Sequence, residues 1–352
     1  CGRGPAMLLV LGMHRSGTSA LARLVSLLGA ALPRRVMDAG PDNVNGYWEP
    51  TEVVTFNDGL LEAAGGRWDA LCGPGADAIA ALRTPEVVDA ARRVLADNFD
   101  PTTPLGVLKD PRLSRLLPFW RPLLEAQGFR LPALVCVRHP LEVAASLAAR
   151  NGFSEAQGLL LWLGYTLDAE RYTRGAPRAF VSYADVLAQW QAVAERLGTV
   201  LEIAWPRTTT DAAADVTAFL QPAGRHHVVE GWAAAPATPL HRWCKTLFTA
   251  LAADEAIADV CDAIRPPFEA LVSVCEPIRA NREAVLPIGA ARPAARGLWR
   301  EAELWRLRAE LTDLRAAHAA LEAAGRVKDA HHAELAHSAA KHELELLALR
   351  PK

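Results

Sequence analysis

The chain has 352 residues, of which 51% are hydrophobic and 22% charged, a composition typical of a globular protein with a sizeable core. The 38 basic and 40 acidic residues give a formal net charge of -2, which argues against non-specific binding to nucleic acid. No apolar run approaches the ~18 residues of a membrane span, so we expect no membrane-spanning helix. Six scattered cysteines without zinc-site spacing favour thiols in a reducing compartment, and we expect a cytoplasmic location.

The first predicted elements are a strand, a glycine-rich turn and a helix. Residues 7–11 form a short apolar run, and residues 12–19 include two glycines. This order is typical of the opening of an α/β sheet. Residues 33–50 are rich in Pro, Gly, Asn and Asp, which predicts a long loop of the kind that often carries function. Apolar residues at helical spacing follow the turn: Leu21, Leu24, Val25 and Leu28.

Strands and helices then alternate along the chain. Three further strands end in polar or charged residues, the second at Lys109, the third at Arg138 and the fourth at Tyr183. The alternation predicts an α/β fold with a doubly wound, mostly parallel sheet. The predicted strands lie at 105–108, 131–137 and 179–182, and a fifth is allowed at 200–204. Helices are expected near 51–64, 84–97, 154–174 and 183–197, and another follows the third strand with Val143, Ala144, Leu147 and Ala148 on one face.

The chain is predicted to contain a globular part followed by a helical tail. We expect a nucleotide-binding α/β domain over 1–235, a helical completion of that domain over 236–290 and a Pro- and Gly-containing linker over 291–297. The tail, 298–352, carries leucines at a/d spacing over about three heptads, which predicts a coiled coil and a homo-oligomer formed through it. These leucines are Leu304, Leu307, Leu311, Leu314 and Leu321.

The turn after the first strand has the spacing of a phosphate-binding loop. Gly12 and Gly17 are five residues apart, and Thr18 stands where nucleotide kinases have lysine. Glycines allow backbone N–H groups to face an anion, and the following helix adds its positive N-terminal dipole. Arg15 offers a cation beside the loop, and Ser19 can donate a hydroxyl. The missing lysine argues against nucleotide hydrolysis and against a metal site, and a purely structural glycine turn is the alternative.

Four motifs, each at a strand end, resemble those of the sulfotransferase family that uses 3′-phosphoadenosine 5′-phosphosulfate (PAPS). Arg15-Ser16-Gly17-Thr18-Ser19 resembles the loop that binds the 5′-phosphosulfate. Arg138, with Ser146 eight residues later, resembles the motif for the 3′-phosphate. Lys109-Asp110-Pro111 is similar to a tripeptide of Golgi-type members, and Tyr183-Ala184-Asp185 is similar to another motif that follows a strand. The resemblance covers residues 7–225.

The resemblance implies a metal-independent transfer of a sulfuryl group from PAPS to a hydroxyl. The donor site would comprise Arg15, Ser16, Gly17, Thr18, Ser19, Arg138 and Ser146. Lys109 and Arg15 would stabilise charge on the leaving oxygen, and Glu49 would be the catalytic base. Family analogy implies a carbohydrate or glycolipid acceptor, although other small molecules use the same core.

Several alternatives stay open at this stage. Glu49 can be a solvated loop carboxylate, and Arg112 can form an ion pair rather than help the donor or an anionic acceptor. His14 and His139 fit packing or capping roles as well as the role of a base. The chain can also be a phosphotransferase with a phosphate loop, or a coiled-coil scaffold that carries an inactive nucleotide-binding fold.

Overall fold

The computed structural model describes residues 4–40, 43, 45–100, 102–220, 232 and 238–285. The predicted linker at 291–297 and coiled-coil tail at 298–352 lie outside these residues. The chain divides into two compact units, Cys1–Cys261 and Asp262–Lys352. The fold and the site described below belong to the first unit.

Four parallel strands form the central sheet, in the order β2-β1-β3-β4. They are β1 (Ala6–Leu11), β2 (Leu105–Lys109), β3 (Ala133–Val137) and β4 (Arg178–Ser182). The α/β prediction with a parallel sheet is therefore confirmed. The order reverses between β1 and β3, and such a switch point opens a crevice at the carboxyl ends of the strands.

The described residues form twelve helices. They are α1 (Thr18–Leu27), α2 (Thr51–Ala63), α3 (Ala76–Ala81), α4 (Pro85–Asn98), α5 (Leu113–Ala126), α6 (Pro140–Asn151), α7 (Glu155–Thr173), α8 (Tyr183–Ala188), α9 (Trp190–Val200), α10 (Thr209–Phe219), α11 (Pro239–Ala253) and α12 (Ile257–Val285). The helix expected over 183–197 is two helices. The fifth strand that the sequence allows at 200–204 is absent from the described sheet, because α9 runs to Val200 and a turn follows.

Both faces of the sheet are covered, because every residue of β1, β2 and β3 is buried. On one face, Leu8 and Val10 pack with the apolar side of α1 and with α8, α9 and α10. On the other face, α5 lies against β1 and α7 lies against β3. A sheet buried on both sides presents polar groups only at its strand ends. Among the five cysteines in the described part of the chain, no disulfide forms.

Candidate active site

The loop between β1 and α1 is tightly wound. Gly12 has φ 126° and Gly17 has φ 93°, in the left-handed region that glycine adopts without strain. A Cβ on Gly12 would lie 2.6 Å from the carbonyl oxygen of Cys136, and one on Gly17 would lie 2.2 Å from the ring of Tyr183. The amide of Gly12 donates to Oγ of Ser114 at 3.0 Å. Both glycines of the predicted motif are therefore required by the close packing of β3 and α8 around the loop.

The same loop has polar groups suited to an anion. Gly17 is the N-cap of α1, and no side chain caps that end of the helix. Oγ of Ser16 is buried and has no hydrogen-bond partner among the described residues. Leaving a buried hydroxyl without a partner costs about 1–3 kcal/mol. A phosphate or sulfate oxygen could accept from this hydroxyl and would also meet the positive end of the helix dipole, so these groups fit the phosphosulfate of PAPS.

The structure brings the two predicted anion motifs into direct contact. Nε of Arg15 donates to Oγ of Ser146 at 2.9 Å, although 131 residues separate them in sequence. Nη1 of Arg138 donates to the carbonyl oxygen of Arg15 at 3.2 Å. Arg15 has φ 69°, a conformation that a side-chain-bearing residue seldom adopts. The loop arginine thus joins the end of β1 to the end of β3 and to helix α6.

Arg138 is held in a fixed orientation at the end of β3. Its Nε donates to Oε2 of Glu142 at 2.8 Å, and both side chains are buried. Its guanidinium carbon lies 5.1 Å from the centre of the Tyr183 ring, and its carbonyl accepts from Trp162 at 3.1 Å. A guanidinium oriented in this way can bind a phosphate in a defined geometry.

Lys109 ends β2 and contacts the long loop that precedes α2. The Lys109 side chain is 2% exposed, and its ammonium forms an ion pair with Oε1 of Glu49. It also donates to the carbonyl oxygen of Tyr47 at 2.9 Å and to Oγ of Ser19 at 3.3 Å. Lys109, Glu49 and Ser19, all predicted as site residues, therefore meet at one point.

Backbone strain at Trp48 accompanies this contact. Trp48 has φ 59°, an uncommon value for a large side chain. Its two neighbours, Tyr47 through the carbonyl and Glu49 through the carboxylate, both bind the ammonium of Lys109. The indole ring packs against the guanidinium of Arg23, with 4.6 Å between the guanidinium carbon and the ring centre. Strained residues of this kind cluster at functional sites.

A buried network that the sequence did not reveal lies beside Glu49. Arg112 donates from Nε to Asp58 at 2.6 Å and from Nη1 to Asp110 at 3.0 Å. Nδ2 of Asn57 donates to the other oxygen of Asp110 at 2.8 Å. The structure shows the ion-pair alternative for Arg112, with Asp58 and Asp110 as its partners. No sequence pattern links α2 to these residues, because the two segments are more than 50 positions apart.

Burial dominates the electrostatics of Glu49 and His14. Burial raises the pKa of Glu49 above 4.5, and Asp110 adds to that effect, whereas Lys109 and Arg112 oppose it. Burial also lowers the pKa of His14 well below 6.5, assisted by nearby cations such as Arg112 and Arg150. His14 is therefore neutral at neutral pH. Its ring lies 4.7 Å from that of Trp68, in agreement with a packing role.

The comparisons with known proteins give structural matches only. No protein-family model matches the chain, and no curated protein matches it. The sulfotransferase domain from the Synechococcus PCC 7002 olefin synthase is 16% identical, with a TM-score of 0.40, and the match covers 70% of this chain and 96% of that chain. The sulfotransferase domain from the curacin biosynthetic pathway is 14% identical, with a TM-score of 0.36, and the match covers 70% and 98%.

None of the helices in the described residues is both long and apolar enough to cross a membrane. No group of three or more His, Cys, Asp or Glu side chains in the described ranges is placed to hold a metal ion.

Proposed function

We propose that this chain is a sulfotransferase that moves a sulfuryl group from PAPS to a hydroxyl. The observation that carries the proposal is the meeting of three strand ends at one edge of the sheet. Arg15 follows β1, Lys109 ends β2 and Arg138 follows β3, and hydrogen bonds connect Arg15 to both Arg138 and Ser146. A donor with an anionic group at each end matches two neighbouring cation sites, the loop of Arg15 and the site of Arg138 and Ser146, which hydrogen bonds of Arg15 connect.

In this proposal, two groups of residues bind the donor. The loop groups Arg15, Ser16, Gly17, Thr18 and Ser19 would hold the 5′-phosphosulfate through backbone N–H groups, hydroxyls and one guanidinium. Arg138 and Ser146 would bind the 3′-phosphate. The buried Arg138–Glu142 pair would present the guanidinium without the entropy loss of ordering it on binding.

Glu49 and Lys109 would act together in the transfer step. Glu49 would accept the proton of the attacking hydroxyl, and a pKa raised above 4.5 makes it a stronger base than an ordinary glutamate. Protonation removes the negative charge that is paired with the Lys109 ammonium. The positive charge of Lys109 then acts on the leaving-group oxygen at the moment when negative charge develops there. Such an interaction is stronger in the transition state than in the ground state.

The acceptor, the tail and the location are proposed from the sequence. A carbohydrate or glycolipid hydroxyl is proposed from the resemblance of the motifs alone. The domain limits, the coiled-coil tail and its role in a homo-oligomer are proposals from the sequence, as is a cytoplasmic location.

A test of the donor site uses 3′-phosphoadenosine 5′-phosphate (PAP). We expect PAP to raise the melting temperature far more than ADP, because only PAP can engage Arg138 and Ser146 together with the loop. Arg138→Ala should remove most of the difference between the two nucleotides. Arg92→Ala is the matched control, since Arg92 is exposed and pairs with Asp89 on the surface. Equal shifts from PAP and ADP in the unchanged protein would refute a site for the 3′-phosphate.

Transfer of a radioactive sulfuryl group from labelled PAPS separates this function from the phosphotransferase and scaffold alternatives. A screen of hydroxyl acceptors in the presence of EDTA should give a labelled product, because protein cations replace the metal of phosphoryl transfer. Activity that needs Mg²⁺ and nucleoside triphosphate would identify a phosphotransferase instead. A chain that neither binds PAP nor transfers sulfate would fit the scaffold alternative.

A further inference from the structure

The two carboxylate oxygens of Glu49 have different surroundings. Oε1 accepts a hydrogen bond from the Lys109 ammonium. Oε2 receives no hydrogen bond from any residue in the described part of the chain, and Nη1 of Arg112 lies 3.8 Å from it. That separation is longer than a hydrogen bond. One oxygen is therefore bound by a cation, and the other is available for a proton.

Arg112 is kept at this distance by two other carboxylates. Asp58 lies 2.6 Å from Nε of Arg112, and Asp110 lies 3.0 Å from Nη1. Asp110 also accepts the backbone N–H of Arg112 at 3.0 Å. Both carboxylates are closer to the guanidinium than Glu49 is. Nε and Nη1 of Arg112 thus donate to Asp58 and Asp110 and not to Oε2 of Glu49.

Asp110 is itself fixed by the protein core. Its side chain is fully buried, and its second oxygen accepts from Asn57 at 2.8 Å. Asn57 in turn accepts from the indole N–H of Trp120 in α5 at 2.7 Å, and Trp120 is fully buried. Buried polar networks with every member paired define one geometry and resist rearrangement. The placement of Arg112 is therefore set by a rigid chain of contacts and not by solvent.

We propose that Asp110 is a positioning residue which, with Asp58, holds Arg112 away from Oε2 of Glu49 so that this oxygen accepts the acceptor's proton. The inference rests on the proposed function. In the step, the O–H bond of the acceptor breaks and its proton goes to Oε2. The oxygen's electron pair forms the new bond to sulfur, and the bond between sulfur and the 5′-phosphate oxygen breaks, leaving the electron pair on PAP.

The charges around Glu49 fix the direction of a measurable effect. The carboxylate faces Lys109 and Arg112, which lower its pKa, and Asp110, which raises it. Loss of Asp110 removes a negative charge and also releases Arg112 to pair with Oε2. Both changes lower the pKa of Glu49. Loss of Asp58 acts through Arg112, because Asp58 contacts the guanidinium of Arg112 at 2.6 Å and its loss releases that guanidinium.

Carbon-13 NMR of the full chain, labelled at the glutamate carboxyl carbons, measures this titration directly. The resonance of Glu49 is assigned by its loss in Glu49→Gln. We expect the carboxyl to titrate at lower pH in Asp110→Asn and in Asp58→Asn than in the unchanged protein. Asp58 is 41% exposed, so Asp58→Asn keeps the test valid if Asp110→Asn does not fold. Asp89→Asn, which breaks a surface pair, should leave the titration unchanged.

A double variant shows whether Arg112 transmits the effect. In an Arg112→Gln background, Asp58→Asn should no longer move the titration of Glu49. An unchanged titration in both single variants, or a shift from Asp58→Asn that persists without Arg112, would overturn the proposal.

The rate of sulfuryl transfer is the second readout. It should fall about tenfold in Asp58→Asn, because a base paired with a cation accepts a proton less readily. An unchanged rate in that variant also overturns the proposal. Failure of the sulfotransferase function is recognised separately, as a lack of PAP binding and transfer in the unchanged protein.

Discussion

At the residue scale, Lys109 combines a structural and a proposed chemical role. Removing one partner of a buried ion pair leaves an uncompensated charge and costs about 3–5 kcal/mol. Lys109→Met should therefore destabilise the protein, and it should also lower kcat by about 100-fold while PAP affinity changes little. Adding Glu49→Gln removes the unpaired carboxylate and should restore much of the stability. Denaturant unfolding and transfer rates would show stability recovering in the double variant while activity does not.

A double variant with normal stability and near-normal kcat would remove the lysine from the mechanism. Lys109→Arg is a useful companion, because it keeps the charge but not the compact ammonium that contacts Tyr47 and Ser19. We expect it to retain more activity than the methionine variant and less than the unchanged protein.

The titration of Glu49 should set the pH dependence of activity. Burial raises its pKa above 4.5, so the base becomes protonated at a higher pH than an exposed glutamate would. As pH falls through this raised pKa, the proton acceptor is lost and kcat should decrease. As pH rises through the same range, the buried carboxylate becomes charged, which lowers folding stability. Profiles of kcat between pH 4 and 8 would locate the acid limb.

Glu49→Gln should have low activity with no acid limb, because the amide keeps the shape and cannot accept the proton. A full rate in this variant would return Glu49 to a structural role, as the ion-pair partner of Lys109. His14 would then be the next base to test, since its Nε2 is buried without a hydrogen-bond partner among the described residues.

At the element scale, the phosphate loop should be intolerant of a methyl group at Gly17. A Cβ there would overlap the ring of Tyr183 at 2.2 Å, in a backbone conformation that alanine adopts at a cost of about 1–2 kcal/mol. Gly17→Ala should lower the melting temperature by several degrees and abolish the stabilisation by PAP. Gly59→Ala is the matched control, because a Cβ at this helical position meets nothing within 4 Å and alanine favours helix by about 1 kcal/mol.

A Gly17→Ala protein that melts normally and still binds PAP would show that the loop does not hold the donor. Normal melting with lost binding would place the methyl group in the anion site itself. Calorimetric titration with PAP distinguishes the two results.

The elements were predictable because short apolar runs and turn residues act locally. The first four strands, the glycine turn and helix α1 follow from patterns within ten or so residues. The split between α8 and α9 at Gln189 and the absent fifth strand were not predicted, because tertiary packing decides the conformation of short apolar segments. The contact between Arg15 and Ser146 spans 131 positions, and only the order of the strands in the sheet creates it.

The sequence predicted that the cations of the candidate site lie at one edge of the sheet. It did not predict the network of side chains beside them. Motif residues at strand ends must lie at one edge of a parallel sheet, so the grouping of Arg15, Lys109 and Arg138 followed from topology. Asn57 and Asp58 lie on a helix without any distinctive pattern, and their partners Asp110, Arg112 and Trp120 are 53 to 63 positions away on other segments. Such pairings depend on how α2 packs, which no local pattern encodes.

At the scale of the whole molecule, the tail beyond 298 should determine association rather than chemistry. Leucines at heptad spacing would make a narrow apolar stripe on a helix, and such a stripe needs a partner helix to be buried. A chain that ends at residue 290 should therefore show a lower mass by light scattering than the full chain. Its melting-temperature rise with PAP should be unchanged, because every proposed donor residue lies between Arg15 and Ser146.

Leu307→Asp combined with Leu314→Asp in the full chain should give the same lower mass, since charges on the stripe oppose pairing. Identical masses for all three proteins would show that the stripe makes no intermolecular contact, and loss of the PAP response in the shortened chain would mean that the donor site depends on the tail.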